Sequence, residues 1–129
     1  MAFPSMKNSP TLVAHIADLL AGLDGVAIRP MFGGHGLFRE GLMFGCLAAD
    51  VLYVRADGER AARLKGEGSS GFTFEMRGRE MTMPYWTVPD SAMDDADALV
   101  AMCRDAFGDA VAADQAKPKG KRKHTGPAG

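Results

Sequence analysis

Covalent cross-links and soft metal sites have little to build on here. The chain has two cysteines, Cys46 and Cys103, far apart and outside any CxxC pair. Neither a disulfide framework nor a thiolate zinc site is expected from that spacing. Both lie among apolar neighbours, where cysteine behaves as a small hydrophobe, so both are expected in the core. No run of eighteen apolar residues exists, which excludes a membrane-spanning helix. The amino-terminal "MAFPSMKNSP" lacks the apolar segment of a secretory signal, and the expected compartment is the cytoplasm. Acid is missing from the carboxyl-terminal tail. Residues 1–116 hold 10 basic against 16 acidic residues, a net of −6, while Lys117, Lys119, Lys121, Arg122 and Lys123 add +5 with no acid between them. The expectation is an acidic globule with a basic string attached.

What remains is ordinary globular material. A chain of 129 residues, 47% hydrophobic and 24% charged, suffices for one domain and one core. Residues 1–8 read as a flexible leader, residues 9–115 as the domain and residues 116–129 as a disordered basic tail. In "SPTLVAHIADLLAGL" Ser9 suits a helix cap and Pro10 the first helical position. Leu12, Ile16, Leu19, Leu20 and Leu23 then recur at helical spacing, with His15 and Asp18 towards water. After Gly25 the period changes. "VAIRPMF", "GLFRE", "LMFGCLA" and "VLYVRA" read as strands, and Glu40–Gly41 and Ala49–Asp50 mark hairpin turns. Pro30 places the first strand at an edge. "LMFGCLA", apolar on both faces, belongs at the centre.

A short helix over about Gly58–Lys65 leads into "FTFEMR" and "EMTMPYW", whose alternation predicts a hairpin buried on one face, turning at Gly78–Arg79. "VPDSAMDDADALVAMCRDAFGDAVAAD" predicts a closing helix with acids at its start. The expected fold is therefore α+β. It is a two-layer domain, a mainly antiparallel sheet of about six strands with the amino- and carboxyl-terminal helices on one face.

The segment "RPMFGGHGLFREGLMFGCL" raises a phosphate-binding question and answers it negatively. A dinucleotide fingerprint starting at Gly34 needs glycine where Arg39 stands, and no G-x-x-x-x-G-K-[ST] occurs. Gly36 leads into a strand and a turn, so no helix amino terminus is present to hold an anion. Gly33, Gly34 and Gly36 fit a tight turn or bulge between Phe32 and Leu37, with His35 at its tip. Gly45, inside an apolar strand, suggests a close backbone approach or a bulge. Catalytic candidates would be His35, Cys46, Arg29 and Glu75, but no spacing gathers them.

"RPMFGGHGLF" resembles the R-x-M-F-G-x-x-G-x-aromatic signature that opens the TfoX N-terminal domain family. The "GLMFGCLAADVLYVRAD" hairpin, the segment "FTFEMRGREMTMPYWTVP" and an acid-led closing helix match in order, over about residues 9–113. Arg29, Met31, Phe32, Gly33, Gly36, Tyr85 and Trp86 occupy the family's motif positions. The resemblance implies regulation of natural competence alongside the transcription machinery. It implies no catalytic residue, cofactor or metal, so a non-enzymatic protein-interaction domain is expected. Longer members carry a second, helical domain, where this sequence has its basic tail.

Several further expectations come from the residues. Arg29 needs a partner beside a core strand, with Glu75 or Glu80 as candidates. The surface around Tyr85 and Trp86 offers aromatic contact area, or Trp86 caps the core. A homodimer is expected from the frequency of closed dimers. The tail could bind nucleic acid weakly and without sequence preference, through Lys117, Lys119, Lys121, Arg122 and Lys123. It has no aromatic for base stacking, and a merely solubilising tail is the alternative.

Overall fold

The computed structural model describes residues 6–31 and 33–121, without the side chains of Phe74 and Met76. Helix α1 (Pro10–Leu19) starts as the sequence predicts. The Ser9 hydroxyl accepts the Leu12 amide at 3.2 Å and Pro10 opens the first turn. A 3-10 turn over Leu20–Gly22 then delivers the chain to the sheet. Six strands come next: β1 (Val26–Met31), β2 (Gly34–Arg39), β3 (Leu42–Ala48), β4 (Val51–Arg55), β5 (Gly71–Met76) and β6 (Arg79–Thr87). Their spatial order is β1-β2-β3-β4-β6-β5, with every neighbour antiparallel. The strand carrying Pro30 lies at one edge, and β3 lies inside the sheet.

Two-residue turns join the hairpins. Glu40 and Gly41, then Ala49 and Asp50, have positive φ, as the strand-compatible hairpin turns require. The last hairpin turns at Arg77–Gly78, one residue earlier than the predicted Gly78–Arg79, because Met76 pairs with Arg79. Both turn residues need positive φ, and with glycine second this is the geometry that Asn-Gly and Asp-Gly turns adopt. Gly45 satisfies both of its predicted readings. The β2–β3 register shifts at Leu37/Phe38, and a Cβ on Gly45 would meet the Tyr53 carbonyl at 2.8 Å.

The helices gather on one face, so the domain is α+β as expected. Leu37, Phe44, Leu47, Leu52 and Val54 of the sheet bury against Ile16 and Leu20 and against Leu99, Cys103, Ala106 and Phe107. The closing helix is not continuous. A short α3 (Asp90–Met93) precedes α4 (Ala96–Gln115), and Asp95 restarts the helix by accepting the Ala98 amide at 3.1 Å. Helix α2 (Gly58–Gly66) sits beside α4, where Arg60 pairs with Asp109 and donates to the Asp105 carbonyl at 3.2 Å. Among the described residues, no helix is long and apolar enough to cross a membrane.

The amino-terminal segment departs from the predicted flexible leader. Asn8 is buried, and the Met6 carbonyl accepts the Ala49 amide at 3.1 Å. Residues 6–8 are therefore part of the domain, because they satisfy main-chain groups that the β3–β4 turn would otherwise leave open. The rest of the leader lies outside the described residues. So do Arg122, Lys123 and the remaining residues to 129. Before them, Lys119–Lys121 form a 3-10 turn.

Candidate functional site

The motif residues divide between the two faces of the sheet. Arg29 pairs in register with Gly36, and its guanidinium lies 5.5 Å from the centroid of the Phe38 ring. Its neighbour is therefore an aromatic face. The predicted Glu75 and Glu80 belong to β5 and β6 at the opposite end of the strand order, so that pairing is corrected. Met31 is half-buried, and its Sδ and the Phe38 ring occupy the space above Gly36. Gly33, at φ +84°, makes the turn, whereas Gly34 and Gly36 lie within β2. Phe32 lies outside the described residues.

Alternation sends Tyr85 and Trp86 to opposite faces. Trp86 pairs with the core residue Val54 and covers Gly71. Tyr85 is 4% exposed and offers no contact area, which corrects the expectation for it. It lies on the face away from the helices, in register with Arg55. Burial pushes its hydroxyl pKa up, and the nearby Arg55 guanidinium opposes that shift. Cys46, buried on the same face, has its thiol pushed up to about 12 by loss of solvent. Cys103, inside the helix-side core, is pushed up to about 12 for the same reason. Neither sulfur is the activated thiolate that nucleophilic work requires.

Much of this outer face is apolar. Phe38, Met43, Tyr53, Phe72 and Met83 are half-buried on it, Val51 is 38% exposed and Met81 is 42% exposed. The Tyr53 and Phe72 rings meet edge to face at 5.0 Å. The β5–β6 hairpin is thus not fully buried on its apolar side, as its alternation had predicted. Strand β4 pairs with β6 only over Tyr85–Thr87, so the outer part of the hairpin runs past the sheet.

His35 is the larger surprise. It is not at a loop tip but inside β2, paired with Pro30 on one side and Leu47 on the other, with its ring on the helix side. Asn8 controls that ring. The Asn8 Oδ1 accepts the Asp50 amide at 2.9 Å and its Nδ2 donates to the Leu47 carbonyl at 2.7 Å. The second Nδ2 hydrogen meets His35 Nδ1 at 2.8 Å. An amide donor needs an acceptor there, so the neutral imidazole carries its hydrogen on Nε2. Asn8 and His35 line one end of an open cavity of about 700 Å³ between α1 and β1. Val13, Ala14, Ala17, Leu20, Val26 and Ile28 line its length, and Asp24 stands at the far end.

Sequence reasoning missed Asn8, because only its three-dimensional neighbours distinguish it from any polar residue before a helix. It placed His35 at a turn because glycines flank it. Of the catalytic candidates, His35 lies on the helix side of β2, Cys46 on the opposite face, Arg29 on the β1 edge and Glu75 on the other edge. Among the described residues, no three His, Cys, Asp or Glu side chains gather as a metal site. In the tail, Lys117 lies 3.6 Å from the buried Asp114 carboxylate, so one of the five cations is already engaged.

The comparisons with known proteins fall on this same domain. Residues 18–110 match the family model of the TfoX N-terminal domain. Over 79 residues the chain is 33% identical to the DNA transformation protein TfoX1 of Aliivibrio fischeri. That stretch is 61% of this chain and 38% of the relative, so the chain spans well under half of that protein's length. With its motif positions, its sheet and most of its closing helix within the matched span, the chain belongs to the TfoX N-terminal domain family.

Proposed function

We propose that this domain regulates DNA uptake by binding a protein of the transcription machinery, without a reaction of its own. The observation that carries the reading is the sheet face opposite the helices. Its aromatic and methionine side chains, with Val51 and Met81 exposed, are bordered by Arg29 and Arg55. Aromatic, Met and Arg side chains are enriched at protein interfaces, and an apolar centre with a charged rim is their usual anatomy. Family membership and the likeness to a DNA transformation protein supply the biological direction. The test is binding of the purified full chain to RNA polymerase holoenzyme. Val51→Glu should weaken it at least tenfold while leaving the circular dichroism spectrum unchanged. A wild-type chain with no affinity, or a variant that binds equally well, refutes this reading.

The basic tail favours a second reading, electrostatic tethering to nucleic acid. With Lys117 held by Asp114, four cations remain to displace counterions. Affinity for duplex DNA should then fall with log salt at a slope of about −3 to −4. A chain ending at Ala116 should lose that binding, and equal binding by the two would remove the tail from the account.

A further inference from the structure

We infer that the cavity between α1 and β1 is a binding site for a small aliphatic carboxylate, held at its head by the Nε2–H of His35. This site is separate from the protein-contact face, since the cavity lies on the helix side of the sheet. Four features converge. Its volume of about 700 Å³ falls in the range of small-molecule sites, and its length is apolar. It exists because α1 leaves the inner side chains of the edge strand, Val26 and Ile28, only half-buried. Opposite them α1 presents Ala14 and Ala17, whose small side chains leave the space open.

At one end stands His35, its ring lining the cavity and its Nδ1 engaged by Asn8. Its Nε2–H has no partner among the described residues. The donor is positioned through Asn8, whose amide is fixed by two main-chain groups. Asp24 stands at the opposite end, where its carbonyl accepts Arg39 Nε at 2.8 Å. A ligand with an apolar body and one acceptor head, such as a carboxylate, fits this lining and its single donor. An ammonium head finds a donor where it needs an acceptor.

The experiment is an NMR titration of the full chain with octanoate and, separately, with octylammonium. Octanoate should shift the methyl signals of Ala14, Ala17, Val26 and Ile28 saturably, and octylammonium should bind at least tenfold more weakly. Ala17→Phe fills the cavity from an exposed helix position and should abolish octanoate binding with the fold intact. His35→Ala should lower octanoate affinity roughly tenfold to a hundredfold, the worth of a hydrogen bond to a charged group. If that variant does not fold, the other arms still decide. Equal binding of both amphiphiles overturns the carboxylate assignment. Undiminished octanoate binding by a folded Ala17→Phe chain overturns the site, and so does a wild-type chain whose methyl signals do not move.

Discussion

Removing the Asn8 side chain strips partners from the Asp50 amide, the Leu47 carbonyl and the His35 ring at once. Each buried polar group left open costs on the order of 1–3 kcal/mol. Asn8→Ala should therefore lower the stability in urea by ~3 kcal/mol, far more than a loose leader could. A loss under half a kilocalorie would mean that water takes over these groups.

The cysteines make a second prediction at this scale. Their ordinary pKa is 9.0 and the folded value is about 12. Below pH 9 both folded and unfolded chains keep these protons, and stability is unaffected. Between pH 9 and 12 the unfolded chain releases protons that the folded chain retains, so stability falls as pH rises. The slope is about 1.4 kcal/mol per pH unit for each thiol. Cys103→Ala should cost stability at every pH but remove one thiol's share of the alkaline slope in urea melts, leaving the shares of Cys46 and of the half-buried Tyr53 and buried Tyr85 hydroxyls. An unchanged slope would assign it to other groups.

Among elements, the β5–β6 hairpin is the least supported. Past Tyr85 its two strands lean mainly on one another, and a two-stranded ribbon is marginal in water. Its amides over residues 73–82 should exchange with solvent well before those of β3. Uniform protection would show that something else braces it. Glu75 and Glu80 stand directly opposite each other, a like-charge pair that opposes strand pairing. Glu80→Lys should stabilise the domain by ~0.5 kcal/mol in low salt and by less in high salt.

The glycines of β2 differ in a testable way. A Cβ on Gly34 would meet the Leu47 carbonyl at 2.7 Å, whereas one on Gly36 meets only the side-chain ends of Phe38 and Met31. Main chain cannot swing aside as side chains do. Gly34→Ala should cost about 1–3 kcal/mol and Gly36→Ala clearly less. The reverse order would mean that the β2–β3 pairing gives way more easily than the Phe38 ring.

At the scale of the whole molecule, much of the architecture was legible because it rests on local signals. The helix cap at Ser9–Pro10, the hairpin turns and the doubly apolar β3 are each set by a few neighbouring residues. The misplacements have a common cause. His35 lies between glycines that look like a turn. They are glycines because Gly34 passes close to the β3 main chain and Gly36 lies under Phe38. The Arg29 partner was sought among acids, but strand order put those acids at the far edge and an aromatic ring next door. Asn8 and the cavity beside it depend on contacts between distant segments, which no local pattern encodes.

The clamp at Asn8 also decides where force enters the molecule. A load on the amino terminus reaches the end of β3 and its turn into β4 through Met6 and Asn8, before any turn of α1 can unwind. A protein fused or tethered at that end is thus coupled to the sheet. Pulling there would loosen the Asn8 contact that holds the His35 ring, so tension on the amino terminus would reach the cavity end where His35 stands.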